Sequence, residues 1–234
     1  MKGIDRGKVY LEPQETANSD AAASASATDA VAALAALRAQ VYSCCRCAEA
    51  GYFVGGAVVG GSRPSRLMLI GQAPSLAGAE QDRPFAWRDG RPRPKLWDWL
   101  EEAGWPEAEF RATAYMTAVT KCYPGPARSG QGDRRPTAVE VRLCAPYLDR
   151  ELALVDPDLI ILLGAAAVER ILGKVRLDDV IGQPLEREIA GRTRILLPLP
   201  HPSGVSRWHN DPANQARLHA ALATLRDLRV KLKL

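Results

Sequence analysis

The sequence predicts an α/β protein of three layers, with helices on both faces of a central, mostly parallel sheet of four strands. Three observations lead there. Short, almost wholly apolar runs recur at residues 65–71, 113–119, 158–164 and 193–200. Segments with apolar residues at helical spacing separate them. A strand that is apolar at nearly every position is buried on both sides, as in a parallel sheet covered by helices on each face.

The elements follow in order. Residues 1–27 include ANSDAAASASATD, dominated by small residues with no apolar period, and read as a flexible tail. Residues 28–234 read as one domain. A helix is expected from about Thr28–Asp29, through TDAVAALAALRAQVYSCCRC. SRLMLIG is the first strand, PKLWDWLEEAGW a helix with a glycine stop, and TAYMTAV the second strand. TAVEVRLCAPYLDRELALV is a long helix. Thr137 and Glu140 at its start have the spacing of a capping box, and Pro146 inside it predicts a kink or a break. DLIILLG is the third strand, AAAVERILG a helix and TRILLPLP the fourth strand. The closing helix starts at Asp211 with Pro212 in its first position.

Sites in such folds gather at the C-terminal ends of the strands. The four exits read GQAPS, AVTKCYPG, LLGAAA and PLPHPSG. His201 therefore stands where chemistry is expected, in a chain of 234 residues with only three histidines.

The bulk numbers set limits. At 47% apolar and 25% charged the chain supports a folded core. A net charge of +4 permits a nucleic-acid partner without demanding one. No run of 18 apolar residues is present, so no membrane span is expected. The polar N-terminus has no apolar signal region, and the cytoplasm is the expected compartment.

In a reducing compartment the five cysteines need a reason other than disulfides. Cys44 and Cys47 form a close pair, while Cys122 and Cys144 stand at distant element ends. Four thiolates suit zinc or an iron–sulfur cluster equally by ligand softness. Structural zinc more often uses two close pairs, so the spacing leans toward a cluster, with Cys45 as the spare thiol.

Four stretches in one order resemble the uracil-DNA glycosylase superfamily, and within it the iron–sulfur group called family four. They are GQAPSLAGAEQDRPF at 71–85, TAVTKCYPG at 117–125, LCAPYLDREL around Cys144 and HPSGVSR at 201–207. The resemblance covers roughly residues 40–225. It implies a 4Fe–4S cluster on Cys44, Cys47, Cys122 and Cys144, in a structural role beside the DNA-binding face. It implies an enzyme that flips a damaged base out of DNA and hydrolyses its N-glycosidic bond, leaving an abasic site. The partner would be damaged DNA, the protein a monomer.

The resemblance also assigns roles. His201 would donate a hydrogen bond to the base as negative charge develops on it. Phe85 would stack on the flipped base. Gly71, Ala73 and Pro74 would shape the turn beneath it, and Gln72 would sit beside the sugar and orient a water. Ser75, Ser203 and Arg207 would contact phosphates, and Val205 would tip the minor-groove wedge. The loop at 123–136 reads either as a clamp on the DNA backbone or as a solvated basic loop.

Two positions depart from the pattern. Gln72 replaces the family's Glu, so no carboxylate stands there to activate water. Ala118 replaces the Asn that reads the uracil edge. The substrate expectation therefore stays open between uracil and another deaminated base such as hypoxanthine or xanthine. A weakly active or non-catalytic DNA-binding member, and a zinc-stabilised enzyme acting on a small nucleotide-like molecule, are the competing readings.

Overall fold

A computed structural model describes the backbone of residues 16–234 apart from 89, 131 and 204–206, and side chains from residue 28 onward, leaving out 207 and 209 as well. Five strands form one sheet: β1 (Leu67–Gly71), β2 (Tyr115–Ala118), β3 (Leu159–Leu163), β4 (Leu185–Ile189) and β5 (Arg192–Leu199). Their order is β2-β1-β3-β5-β4. The first four in that order run parallel, and β4 is antiparallel to β5. The α/β class and the parallel core match the sequence expectation, and the sheet has five strands rather than four.

The extra strand escapes a search for apolar runs because LEREI is charged at its three central positions, which are exposed. It joins β5 through Ala190 and Gly191, both at positive φ (51° and 79°), a two-residue hairpin loop whose twist suits the flanking strands.

Alternate residues of each parallel strand feed opposite faces, as the pleat requires. Leu67, Leu69, Leu159, Ile161, Leu163, Leu197 and Leu199 pack with Trp97, Trp105, Phe110, Leu222 and Leu225. These partners come from α4 (Lys95–Glu102), α5 (Glu107–Thr113), the loop between them and α9 (Pro212–Leu232). Met68, Ile70, Ile160, Leu162 and Leu196 face the other way, onto Leu34, Leu148, Leu152 and Val168. Those lie on α1 (Thr16–Tyr42), α6 (Ala138–Val155) and α7 (Ala165–Leu172).

Helix α1 begins at Thr16, well ahead of the start read near Thr28, which corrects that boundary. Alanine has the best intrinsic helix propensity, so an Ala/Ser segment continues a helix without any amphipathic pattern. The first fifteen residues of the expected tail lie outside the described residues. Helix α6 has the predicted capping box on Thr137 and Glu140, and it runs through Pro146 unbroken. Four short helices among the described residues were not read from the sequence: α2 (Arg46–Glu49), α3 (Leu76–Gln81), α5 and α8 (Leu177–Val180).

One polar cluster sits inside this apolar frame. Lys121 Nζ lies 2.5 Å from Glu151 Oε2, with side-chain exposures of 1% and 0%. Lys121 also donates to Thr117 Oγ1 at 2.6 Å and to the Ala118 carbonyl at 2.7 Å. Glu151 accepts from Thr117 Oγ1 at 2.8 Å and from the Tyr115 hydroxyl at 3.1 Å. The pair thus joins the end of β2 to the middle of α6. Removing one partner strands the other charge, at a cost of about 3–5 kcal/mol. Lys121→Met alone is expected to lower the unfolding free energy by that amount in a urea titration. Lys121→Met combined with Glu151→Leu is expected to recover a good part of it.

Candidate active site

The strand exits converge on one cavity of about 770 Å³. Its lining includes Gln72, Ala73, Pro74 and Ser75 after β1, Phe85 further along, Ala118 at the end of β2, and His201 and Ser203 after β5. Gln72 also borders a second cavity of about 500 Å³, whose walls include Arg135, Arg142 and Arg170.

His201 is aimed by two backbone features. The Ser203 N–H donates to His201 Nδ1 at 3.2 Å. A ring nitrogen that accepts cannot carry the proton, so the neutral ring bears it on Nε2, which is left as a donor. Gly164, the residue after β3, has φ +84°, and a Cβ there would lie 3.1 Å from both Cβ and Cδ2 of His201. The glycine at the third strand exit therefore makes room for the imidazole.

Phe85 is aimed in a similar way. Its backbone is left-handed, with φ 53°, a conformation uncommon for an aromatic residue. Its ring lies against Gly71, where a Cβ would stand 2.8 Å from the ring Cζ. Gly71 thus acts through Phe85 and is not among the described lining residues of the cavity.

The remaining expected residues divide. Ser75 lines the cavity but also caps α3, its side chain accepting from the Gly78 N–H at 3.1 Å, so part of its hydrogen-bonding capacity serves the fold. The Thr117 hydroxyl faces the Lys121–Glu151 pair, donating to one and accepting from the other, so it is no substitute for an Asn at position 118. Thr117 is in the cavity lining, whereas Thr120 is not. Val205, the side chain of Arg207 and Asp89 lie outside the described residues.

The 123–136 loop belongs to the site. Pro124, Gly132, Asp133, Arg134 and Arg135 line the cavity, and a bridge between Pro126 and Asp133 holds the loop's two sides together. Asp133 is the acidic residue among the described lining residues, and sequence reasoning missed it. Asp133 reaches solvent, yet partial burial of its carboxyl pushes its pKa up, against an opposing hydrogen bond from Tyr123. A carboxylate forty-eight residues beyond Phe85 gives no local signal of belonging beside it.

The cysteines form a second feature next to this cavity. All five are free of disulfides. Burial pushes the Cys122 thiol up to about 12, and the charges of Cys144, Cys44 and Cys47 add to it. Burial and then the charge of Cys144 push Cys47 up to about 11. Cys44 and Ala57 pack against the buried cluster that includes Cys144, and Cys122 forms a bridge with Ala57, which brings these cysteines into one region of the fold. The Lys121 N–H also points at Cys144 Sγ, at 3.3 Å. Cys45 stands apart, exposed, with its thiol donating to Glu49 at 2.8 Å. Among the described residues no group of three or more His, Cys, Asp or Glu is arranged to hold a single metal ion. No described helix is long and apolar enough to cross a membrane.

Comparison with known proteins adds a relationship. The family model described as "Uracil DNA glycosylase superfamily" matches residues 59–226. A "Type-4 uracil-DNA glycosylase" of Pyrobaculum aerophilum is 32% identical over 146 residues, covering 60% of this chain and 68% of the relative. One of the same description from Thermotoga maritima is 30% identical over 153 residues, covering 64% and 71%. A third, from Sulfurisphaera tokodaii, is 27% identical over 173 residues, covering 71% and 73%.

Proposed function

Because the chain belongs to the uracil-DNA glycosylase superfamily, we propose that it is a DNA repair glycosylase, which flips a deaminated base out of DNA and hydrolyses its N-glycosidic bond. The observation that carries this reading is the cavity shared by His201 and Phe85, with Gln72 and Ala118 in the same lining.

The chemistry follows from the groups present. Cleavage leaves negative charge on the base and positive charge on the sugar. The Nε2–H of His201 donates to the base oxygen as its charge grows, a contribution worth about 3 kcal/mol. Phe85 stacks on the base and offsets the cost of unstacking it from DNA. Asp133 supplies the negative charge that position 72 lacks, either orienting water with Gln72 or steadying the sugar cation. Water alone attacks, so the enzyme is monofunctional and leaves an abasic site. Ser203, Arg207 and Val205 follow His201 in sequence and serve the DNA backbone and the minor groove. The domain that α1 opens acts as the catalytic unit, as a monomer in the cytoplasm.

Uracil is the leading substrate. The 770 Å³ cavity also admits a purine, and with Ala118 at the edge-reading position this supports hypoxanthine or xanthine as the second reading.

Cys44, Cys47, Cys122 and Cys144 would hold a 4Fe–4S cluster. One close pair and two distant single cysteines favour a cluster over a zinc site, which more often uses two close pairs. When bound, it supplies structural bracing of the α1–α2 junction, the β2 exit and α6, not redox chemistry on the substrate.

Three outcomes are expected. Labelled duplexes and single strands carrying uracil, hypoxanthine or xanthine, treated with protein and then alkali, break for at least one lesion. His201→Ala cuts roughly 10²–10³-fold slower with DNA affinity almost unchanged, and scission of no lesion sinks the enzymatic reading. Activity falls as pH drops through the raised pKa of Asp133, above the ordinary carboxylate value of about 4. Asp133→Asn removes that acidic limb and lowers kcat roughly 10²-fold, as measured in a pH–rate profile. Purified protein is brown, absorbs near about 400 nm and contains iron and labile sulfide, and a colourless zinc protein refutes the cluster.

A further inference from the structure

Resting on the glycosylase reading above, we propose that Arg111 is a positioning residue for base recognition, holding the Pro84–Phe85 turn in the backbone conformation that presents the Phe85 ring to the cavity. Arg111 lies on α5, across from the motif segment and 26 residues from Phe85. Its Nη1 donates to the Pro84 carbonyl at 2.9 Å and its Nη2 to the Phe85 carbonyl at 3.3 Å. Its Nε donates to Glu107 Oε1 at 2.7 Å. Its guanidinium carbon sits 4.1 Å from the ring centroid of Trp97, which is fully buried.

Each contact fixes a different freedom. The Trp97 face sets the plane of the guanidinium, and Glu107 sets its rotation within that plane. The remaining two donors then meet two successive carbonyls. Two successive carbonyls held from one side fix the two peptide planes that flank Phe85, and with them its φ and ψ. A left-handed aromatic residue persists only where its surroundings over-determine it, and this fork does so. The opposite side of the ring meets Gly71, so the ring is held between a strand end and a clamped turn. A lysine at 111 carries the charge but not the planar fork, so it pairs with Glu107 and releases at least one carbonyl.

The test uses the full-length protein with fluorophenylalanine at its three Phe positions, read by ¹⁹F NMR, alongside single-turnover kinetics on DNA carrying the cleaved lesion. The Phe85 signal is assigned by its loss in Phe85→Leu. In Arg111→Met and Arg111→Lys it is expected to shift or broaden. The Phe53 signal, on the far side of Tyr123, stays put. The half-saturating protein concentration is expected to rise roughly tenfold, the scale of one lost stacking contact, with little change in the rate at saturation. In a Phe85→Leu background the Arg111 changes are expected to add nothing. An unmoved Phe85 signal, wild-type behaviour of Arg111→Lys, or additive losses in the double variant would each overturn the proposal. If Arg111→Met does not fold, Arg111→Lys gives the same readouts. If the wild-type protein cleaves no lesion, the glycosylase reading fails, and the NMR arm still decides whether Arg111 holds Phe85.

Discussion

The buried pair of Lys121 and Glu151 is the constraint on which the functional end of the molecule depends. It closes the gap between the exit of β2 and the middle of α6 with charge instead of apolar contact. Most of the hydrogen bonds around it fall on residues beside the cavity or the cysteines. Thr117 and the Ala118 carbonyl belong to the strand end that faces the cavity. The backbone of Lys121 meets Cys144, and Cys122 follows it directly. Charges taken out of water are tolerated only with excellent geometry and full hydrogen bonding. Such a pair therefore fixes the register of β2 against α6 more sharply than leucines would. A shift of one residue would misplace the strand end that lines the cavity and two thiols together.

The two aromatic side chains of the site are placed by the same logic from opposite directions. Phe85 needs Gly71 and His201 needs Gly164, and both glycines end central strands of the sheet. A Cβ at either position would occupy the space that a functional ring now fills. Side chains carried on loops are thus aligned by direct contact with the ends of the rigid sheet. Arg111 and Ser203 finish the alignment from the loop side.

Legibility in the sequence followed burial and locality. The four parallel strands stood out because both of their faces are apolar, whereas β4 did not, since its central residues are charged and its turn is Ala-Gly. The start of α1 was misread because alanine needs no partner face to be helical. His201, Phe85 and the four cysteines were visible through short motifs whose order is kept by the chain. Asp133, Arg111 and Gly164 were not, because their importance lies in what the fold brings beside them. A carboxylate in a Pro/Gly/Arg loop and an arginine on a short helix have no periodicity or spacing to betray that the first lines the cavity and the second meets the Pro84–Phe85 turn.

Strand β4 has a meaning beyond its place in the sheet. It leaves one margin of the sheet as five residues bearing Glu186, Arg187 and Glu188, exposed and alternating in sign. Open margins of flat apolar strands are templates on which neighbouring molecules add. Here an incoming backbone would have to accept acidic and basic groups in strict register, and it would find little to bury. The charged margin is thereby a poor template for extending the sheet.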